Sequence, residues 1–169
     1  SMSIFARELS TLYDSFVRGQ PSPLPPLPIQ YADFGLWQRA MLEGQPLQAQ
    51  LGFWKKHLTG APAVLDLPTD RPRPAQPSYS GVRLTHPLPS RLTGAVQAFA
   101  AQQRVTPFMV LLAAFAVVVQ RYTGQDDLVI GTPIAGRTHV DLEGLIGFFI
   151  NTLPIRLDLS GNPTFRELL

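Results

Sequence analysis

The stretch Ile146-Gly147-Phe148-Phe149-Ile150-Asn151-Thr152-Leu153-Pro154-Ile155-Arg156 decides how the rest of this chain is interpreted. It is an apolar, strand-like run that one polar pair, Asn151 and Thr152, interrupts. A buried strand seldom carries an asparagine without a partner, because an unpaired amide in the core costs free energy. The run therefore predicts a buried strand at 148–157 with a polar site in its middle.

Length and composition limit the classes of protein that the chain can represent. Its 169 residues suit one domain, and 15% of them are charged, against a typical value of about 25%. The net charge is +2, and the nearest approaches to a basic cluster are Lys55-Lys56 and the pair Arg71 and Arg73. This distribution predicts no nucleic-acid partner. The absence of cysteine excludes disulfides, thiolate chemistry and cysteine-ligated metals.

The chain also has no feature that predicts a membrane or secretory location. Its longest apolar run, Phe108–Val119, is shorter than the roughly 20 residues of a membrane span and instead predicts a helix covered on both flanks. No basic segment followed by an apolar core resembles a secretory signal. We therefore expect no membrane partner and a cytoplasmic location.

Periodicity and turn residues predict an alternation of helices and strands. The predicted helices lie at 3–18, 31–42, 47–58, 90–103 and 106–122, and a last helix begins at 162–164. Ser90 is the predicted cap of the helix at 90–103. The predicted strands lie at 81–88, 128–134 and 148–157. Proline-rich connectors at 20–28 and 67–77 separate the segments. This order predicts an α/β fold with a mixed sheet that is incomplete at both ends.

Three histidines are the first candidates for chemistry: His57, His86 and His139. None has the spacing of a metal site. His86 falls on the apolar phase of a predicted strand, where a core histidine is expected. His139 lies close to Asp141, and the pair is either a base with its orienting carboxylate or two solvated loop residues. With no G-x-S-x-G motif or phosphate loop either, the residues alone predict no complete catalytic constellation and no metal site.

Several segments, in order, resemble signature motifs of one enzyme family. Those segments are Tyr31-Ala32-Asp33-Phe34-Gly35-Leu36-Trp37, LPTDRPRP at 67–74, GTPIAGR at 131–137, the run at 146–156 quoted above, and PTFRELL at 163–169. The chain resembles the condensation domains of nonribosomal peptide synthetases, which belong to the chloramphenicol-acetyltransferase-like superfamily. The resemblance covers essentially the whole chain.

The resemblance implies a fold of two related α/β lobes with an active site in a tunnel between them. Residues 1–19 would be the last helix of the N-terminal lobe, 20–78 the inter-lobe linker and helices, and 79–169 the first part of the C-terminal lobe. The family's catalytic motif, H-H-x-x-x-D-G, precedes the helix that begins this chain. We therefore expect the catalytic histidine upstream of Ser1, no catalytic residue within the chain, and no activity from the chain alone.

The resemblance also assigns supporting roles to six residues. Arg137 would pair with the aspartate of the missing motif, or else lie in solvent. Asn151 and Thr152 would face the substrate tunnel, or else serve a bulge or a cap. The remaining three would cap and pack a helix, or else touch substrate, and they are Tyr31, Asp33 and Trp37.

The implied activity is amide-bond formation between an aminoacyl or peptidyl thioester and an aminoacyl amine. Both substrates would ride on phosphopantetheine arms of peptidyl or acyl carrier proteins, so no cofactor would bind the chain directly. An adjacent adenylation domain of the same parent is the other implied partner. Two alternatives stay open: an epimerization or heterocyclization relative, and a catalytically empty module that binds carrier proteins.

Overall fold

The computed structural model describes residues 1–72 and 74–169, so Arg73 of the second proline-rich connector lies outside the described residues. The elements of the described part are α1 (Met2–Val17), α2 (Tyr31–Met41), α3 (Gln45–Leu58), α4 (Ser90–Gln103), α5 (Pro107–Thr123), β1 (Asp127–Ala135), a 3-10 turn (Val140–Leu142), β2 (Ile150–Asp158) and α6 (Phe165–Leu168). All five predicted full-length helices are present, with ends within two residues of those expected from the sequence.

The two strands pair with each other, and their end contacts define the direction of pairing. The Gly136 N–H donates to the Phe149 carbonyl at 2.8 Å, and the Leu159 N–H donates to the Asp126 carbonyl at 2.7 Å. Because residue numbers rise along β1 as they fall along β2, the pair is antiparallel. The parallel component of the predicted mixed sheet is not found among the residues that the structure describes.

The chain divides into two compact units, each with its own core. The first comprises Ser1–Thr59 and Gly131–Leu153, and the second comprises Gly60–Ile130 and Pro154–Leu169. The lobe boundaries at residues 19 and 78 concern the intact domain and stay a prediction.

The core of the first unit joins the start of α2 to the segment between the strands. Phe34 packs there with Leu142, Leu145 and Phe149, and Ile29 lies against the cluster. Aromatic rings carry much of this contact, with Phe34 and Phe149 centroids 4.9 Å apart. Such pairs stabilise beyond the area that they bury.

The core of the second unit lies under α5. Ala116 and Val119 of this helix pack with Leu128 of β1 and with Leu159 just beyond β2. Leu128 is fully buried.

Both ends of α5 form as the sequence predicts. The Thr106 hydroxyl accepts a hydrogen bond from the Met109 N–H at 3.3 Å, and Pro107 occupies the first turn. Gly124 ends the helix with φ +71° and donates its N–H to the Gln120 carbonyl. Glycine adopts this left-handed conformation without the steric cost that other residues incur.

The predicted strand at 81–88 is wrong, since these residues form no regular secondary structure. Val82 and Leu84 are 87% and 90% exposed, and His86 is exposed as well, so it is not a core histidine. A strand needs a neighbour for its backbone hydrogen bonds, and the described residues supply none. The predicted Ser90 cap is also wrong, because the N-cap is Pro89 and Ser90 is the first helical residue.

Two predictions of burial also fail. The strand predicted at 148–157 begins at Ile150, and its first three residues are exposed rather than buried. Helix α5, predicted to be covered on both flanks, buries one stripe and leaves large apolar side chains on another.

Among the described residues no single helix is long and apolar enough to cross a membrane. Helices α4 and α5 reach that length and composition only as a pair, across a bend of 105°.

Candidate functional site

Two of the motifs quoted above meet in the first unit. The Tyr31 hydroxyl donates to the Phe148 carbonyl at 2.9 Å. The Tyr31 ring stands edge-on to Phe149, with centroids 5.2 Å apart and planes at 81°. Edge-to-face contact is a favoured geometry for aromatic pairs. The residues near 31 and near 148 are far apart in sequence but act as one packing group.

Asp33 closes the start of α2. Its Oδ2 accepts a hydrogen bond from the Gln30 N–H at 2.8 Å. A carboxylate in the first turn satisfies a free N–H and interacts favourably with the helix dipole. This geometry matches the capping role expected of Asp33.

Trp37 lies one turn further along α2, at the edge of a cavity. Its ring is 5.9 Å from that of Phe34. The cavity has a volume of about 280 Å³ and is lined by Ile29, Asp33, Phe34, Trp37, His139 and Leu142. Most of the lining side chains are apolar, and Trp37 itself is 49% exposed.

Arg137 is held by the backbone of the segment that follows β1. Its Nη1 donates to the Leu142 carbonyl, and its Nη2 donates to the Leu145 carbonyl at 2.7 Å. The guanidinium carbon lies 4.0 Å from the centroid of the Phe149 ring, a cation–π contact. Arg137 is therefore a partly buried, anchored residue and not a loop arginine in solvent.

The same guanidinium also reaches the first residue of the chain. Arg137 Nη2 donates to Ser1 Oγ at 3.0 Å. Ser1 Oγ in turn donates to the Gly147 carbonyl at 2.7 Å and accepts from the Gly147 N–H at 3.3 Å. Ser1 is thus fixed by both Arg137 and Gly147.

Asn151 and Thr152 lie at the exposed start of β2. Asn151 Oδ1 accepts from the Thr152 N–H at 2.8 Å, which is a local bond of the kind that asparagine makes in turns and caps. The Thr152 Cγ2 methyl approaches Gly131 on β1. Because both side chains are exposed, their polar groups are not buried in the core, and the prediction of a buried amide at Asn151 is wrong.

His139 and Asp141 are close but exposed. His139 Nδ1 lies 3.2 Å from Asp141 Oδ2, and the side chains are 66% and 49% exposed. Solvent screens an interaction between such exposed groups. The geometry suits two solvated loop residues better than a base held by its orienting carboxylate.

The expectation that the chain holds no catalytic residue stays a prediction. No group of three or more His, Cys, Asp or Glu side chains in residues 1–72 and 74–169 could hold a metal ion. His57 stacks on the Phe53 ring, with centroids 5.6 Å apart, and so has a packing contact.

The sequence analysis missed an ion pair between the two strands in the second unit. Arg156 Nε and Nη2 donate to Asp127 Oδ1 and Oδ2 at 2.9 and 2.6 Å, a bidentate arrangement. The hydrogen bond from Arg156 holds the pKa of the Asp127 carboxyl below its usual value. Opposite charges in two apolar strand segments are the signal that could have revealed this pair.

Comparison with known proteins agrees with these motifs. The family model "Condensation domain" matches residues 1–169, which is the whole chain. Malpinin synthetase of Mortierella alpina is 51% identical over 169 residues, which are all of this chain and 2% of that protein. Phosphinothricin tripeptide synthetase PhsB of Streptomyces viridochromogenes is 46% identical, again over all of this chain and 14% of that protein. The chain therefore spans only a small part of the curated relatives that it matches.

Solved structures show the same fold. The X-domain from teicoplanin biosynthesis matches with a TM-score of 0.90 at 32% identity, over 99% of this chain and 38% of that one. The first condensation domain of the CDA synthetase matches with a TM-score of 0.74 over 99% of this chain and 36% of that one, and at 21% identity it shows the fold alone. The predicted α/β lobe of the chloramphenicol-acetyltransferase type is thereby confirmed, and the chain belongs to the condensation domain family of nonribosomal peptide synthetases.

Proposed function

We propose that the protein containing this chain forms an amide bond between two carrier-bound substrates. The acceptor amine would attack the carbonyl of the donor thioester, forming a C–N bond and breaking the C–S bond. The donor arm would leave as a thiolate, and a base would take the amine proton and pass it to the leaving sulfur. Family membership over the whole chain and 46% identity to a tripeptide synthetase support this activity.

The position of Arg137 is the observation that carries the proposal. The guanidinium lies 3.0 Å from Ser1 Oγ and keeps two of its five N–H donors without a hydrogen bond to any described residue. In the family that this chain resembles, the H-H-x-x-x-D-G motif immediately precedes this helix. These two donors are on Nε and Nη1, and we propose that an aspartate a few residues before Ser1 accepts hydrogen bonds from them. Arg137 would then fix the loop that carries the catalytic histidine.

Asn151 and Thr152 are our candidates for contacts with substrate. The Asn151 amide nitrogen and the Thr152 hydroxyl have no hydrogen-bond partner among the described residues, and both side chains are exposed. They can donate to the carbonyl oxygens of an amide or thioester. The phosphopantetheine arm, which carries the substrate as a thioester, presents such groups and would come from a peptidyl or acyl carrier protein.

The wider setting follows from the same family. We propose that carrier proteins and an adjacent adenylation domain of the parent are the partners, and that the parent works in the cytoplasm. An epimerization or heterocyclization relative is not favoured, because the condensation domain model matches every residue. The other alternative, a catalytically empty module that binds carrier proteins, is distinguished from an active enzyme by the experiment that follows.

The test uses the intact parent synthetase with donor and acceptor loaded on their carrier proteins. Arg137→Ala should lower the rate of amide formation by about 100-fold, since a misplacement of about 1 Å has effects of that order. Arg137→Lys should restore only part of the rate, because lysine keeps the charge but not the planar fork. Product is measured by mass spectrometry of the acceptor carrier.

Arg91→Ala, at an exposed position of α4, is the matched control and should leave the rate unchanged. The 169-residue chain alone should form no amide, since it contains no H-H-x-x-x-D-G motif. An Arg137→Ala parent with full activity would contradict the role of Arg137. Turnover by the isolated chain would return His139 to consideration as a base.

A further inference from the structure

Tyr31 and Gly147 touch more closely than any side chain at position 147 would permit. A Cβ built on Gly147 would lie 2.7 Å from Cε2 and 2.8 Å from Cγ of the Tyr31 ring, and still closer to Cδ2. Contacts this short essentially never occur, so either the ring or the backbone would have to move. Gly147 does not have positive φ, so the ring, and not the backbone conformation, requires a glycine here.

Tyr31 is 40% exposed, but several contacts hold its ring in place. The Tyr31 hydroxyl donates to the Phe148 carbonyl at 2.9 Å, and the ring lies edge-on to Phe149. The Phe34 ring centroid lies 6.1 Å from that of Tyr31. Three contacts and the helix start at Tyr31 thus hold the ring against the Gly147 backbone.

The backbone of Gly147 in turn holds Ser1. Its carbonyl accepts from Ser1 Oγ at 2.7 Å, and its N–H donates to the same oxygen at 3.3 Å. Arg137 Nη2 donates to that oxygen as well. A shift of Gly147 would therefore move the hydroxyl that Arg137 and Gly147 share.

We infer that Tyr31 is a positioning residue for the reaction. Its ring sets the place of the Gly147 backbone, and Gly147 sets the place of Ser1 and of the chain that enters α1. The inference rests on the proposed function, in which the catalytic motif immediately precedes this point. Tyr31 would touch neither substrate nor the reacting atoms, and would act through Gly147.

The first experiment measures hydrogen exchange in the intact parent. The reporter is the Phe5 amide, which donates to the Ser1 carbonyl at 2.9 Å in the first turn of α1. Gly147→Ala should raise its exchange rate about tenfold, because opening the first turn exposes that amide. Gly35→Ala is the matched control, since a Cβ at Gly35 meets no atom within 4 Å, and exchange at Phe5 should not change.

A double-mutant cycle tests the specific contact. Tyr31→Ala removes the ring, so Gly147→Ala should add less than about a twofold change in exchange in that background. Tyr31→Phe removes only the hydroxyl and should have a smaller effect than Tyr31→Ala. If Gly147→Ala leaves Phe5 exchange unchanged, or adds the same increment with and without the Tyr31 ring, the inference is wrong.

Kinetics separate positioning from general damage to the fold. Gly147→Ala should lower kcat for amide formation by about tenfold and leave KM for the acceptor carrier protein within about twofold. A rise in KM with unchanged kcat would contradict the positioning role. Hydrogen exchange at Phe5 does not depend on activity, so the two claims can fail separately. A wild-type parent that makes no amide would overturn the proposed function. Unchanged exchange at Phe5 in Gly147→Ala would overturn the inference about Tyr31.

Discussion

Arg137 is fixed by main-chain carbonyl groups, which substitution of neighbouring side chains cannot remove. Its position therefore depends on the path of the backbone from Gly136 to Phe149. A Cβ at Gly136 would lie 2.6 Å from the Phe149 carbonyl oxygen, so glycine is needed for this path too. At the residue scale, one glycine and two carbonyl acceptors therefore define where the Arg137 guanidinium lies.

The Asp127–Arg156 pair gives a prediction at the same scale. The hydrogen bond from Arg156 lowers the pKa of Asp127 from its ordinary value of 3.8. A carboxyl whose pKa is lower when folded adds stability above its unfolded pKa and loses it as the pH falls through the folded one. Asp127→Asn should therefore destabilise the intact domain at neutral pH, and the difference from wild type should shrink as the pH drops below 3.8.

Urea unfolding of both proteins at several pH values measures this difference. Asp70→Asn, at an exposed residue of the second connector, serves as control and should leave the midpoint unchanged at every pH. A difference between wild type and Asp127→Asn that stays constant at low pH would show that the pair does not stabilise the fold through its charge.

The sequence singled out candidate site residues but did not predict the contacts that they make. Arg137 was selected from its motif, but its partners are backbone carbonyls of Leu142 and Leu145, which have no sequence signature. Asn151 was selected because it interrupts an apolar run, and the structure shows that the start of this run is exposed. Burial depends on which surfaces meet, and a single run of residues does not contain that information.

At the scale of elements, local signals predicted the helices, although the Ser90 cap was wrong, and the strand that depends on a distant neighbour failed. Thr106, Pro107 and Gly124 define both ends of α5 through bonds within a few residues. The alternation at 81–88 has the period of a strand, but a strand forms only where a neighbour accepts its hydrogen bonds. The helices were therefore predictable from the sequence, and this strand was not.

The N-terminus of α5 gives the corresponding prediction. The Thr106 hydroxyl satisfies the Met109 N–H, so Thr106→Ala should lower the free energy of unfolding of the intact domain by about 1 kcal/mol. Thr106→Ser keeps the hydroxyl and should retain most of that stability. Chemical denaturation of the three proteins compares them, and equal midpoints for the alanine and threonine proteins would mean that the cap contributes nothing.

At the scale of the whole molecule, α5 has two apolar stripes. One lies in the core of the second unit, and its members are Val110, Ala113, Ala116 and Val119. The other is exposed and recurs every three or four residues, and its members are Phe108, Leu111, Phe115, Val118 and Tyr122. A patch of large apolar side chains on an isolated chain favours association.

We predict that the isolated 169-residue chain aggregates or unfolds without a sharp transition, because the exposed stripe of α5 has no cover there. Phe115→Lys should raise the monomer fraction in size-exclusion chromatography, since it places a charge in the middle of that stripe. Gln102→Lys adds the same charge at an exposed position of α4 without removing apolar surface, so it should not reproduce the gain. A soluble wild-type monomer with a cooperative thermal transition would contradict the prediction. Equal gains from both lysines would show that net charge, and not the stripe, controls association.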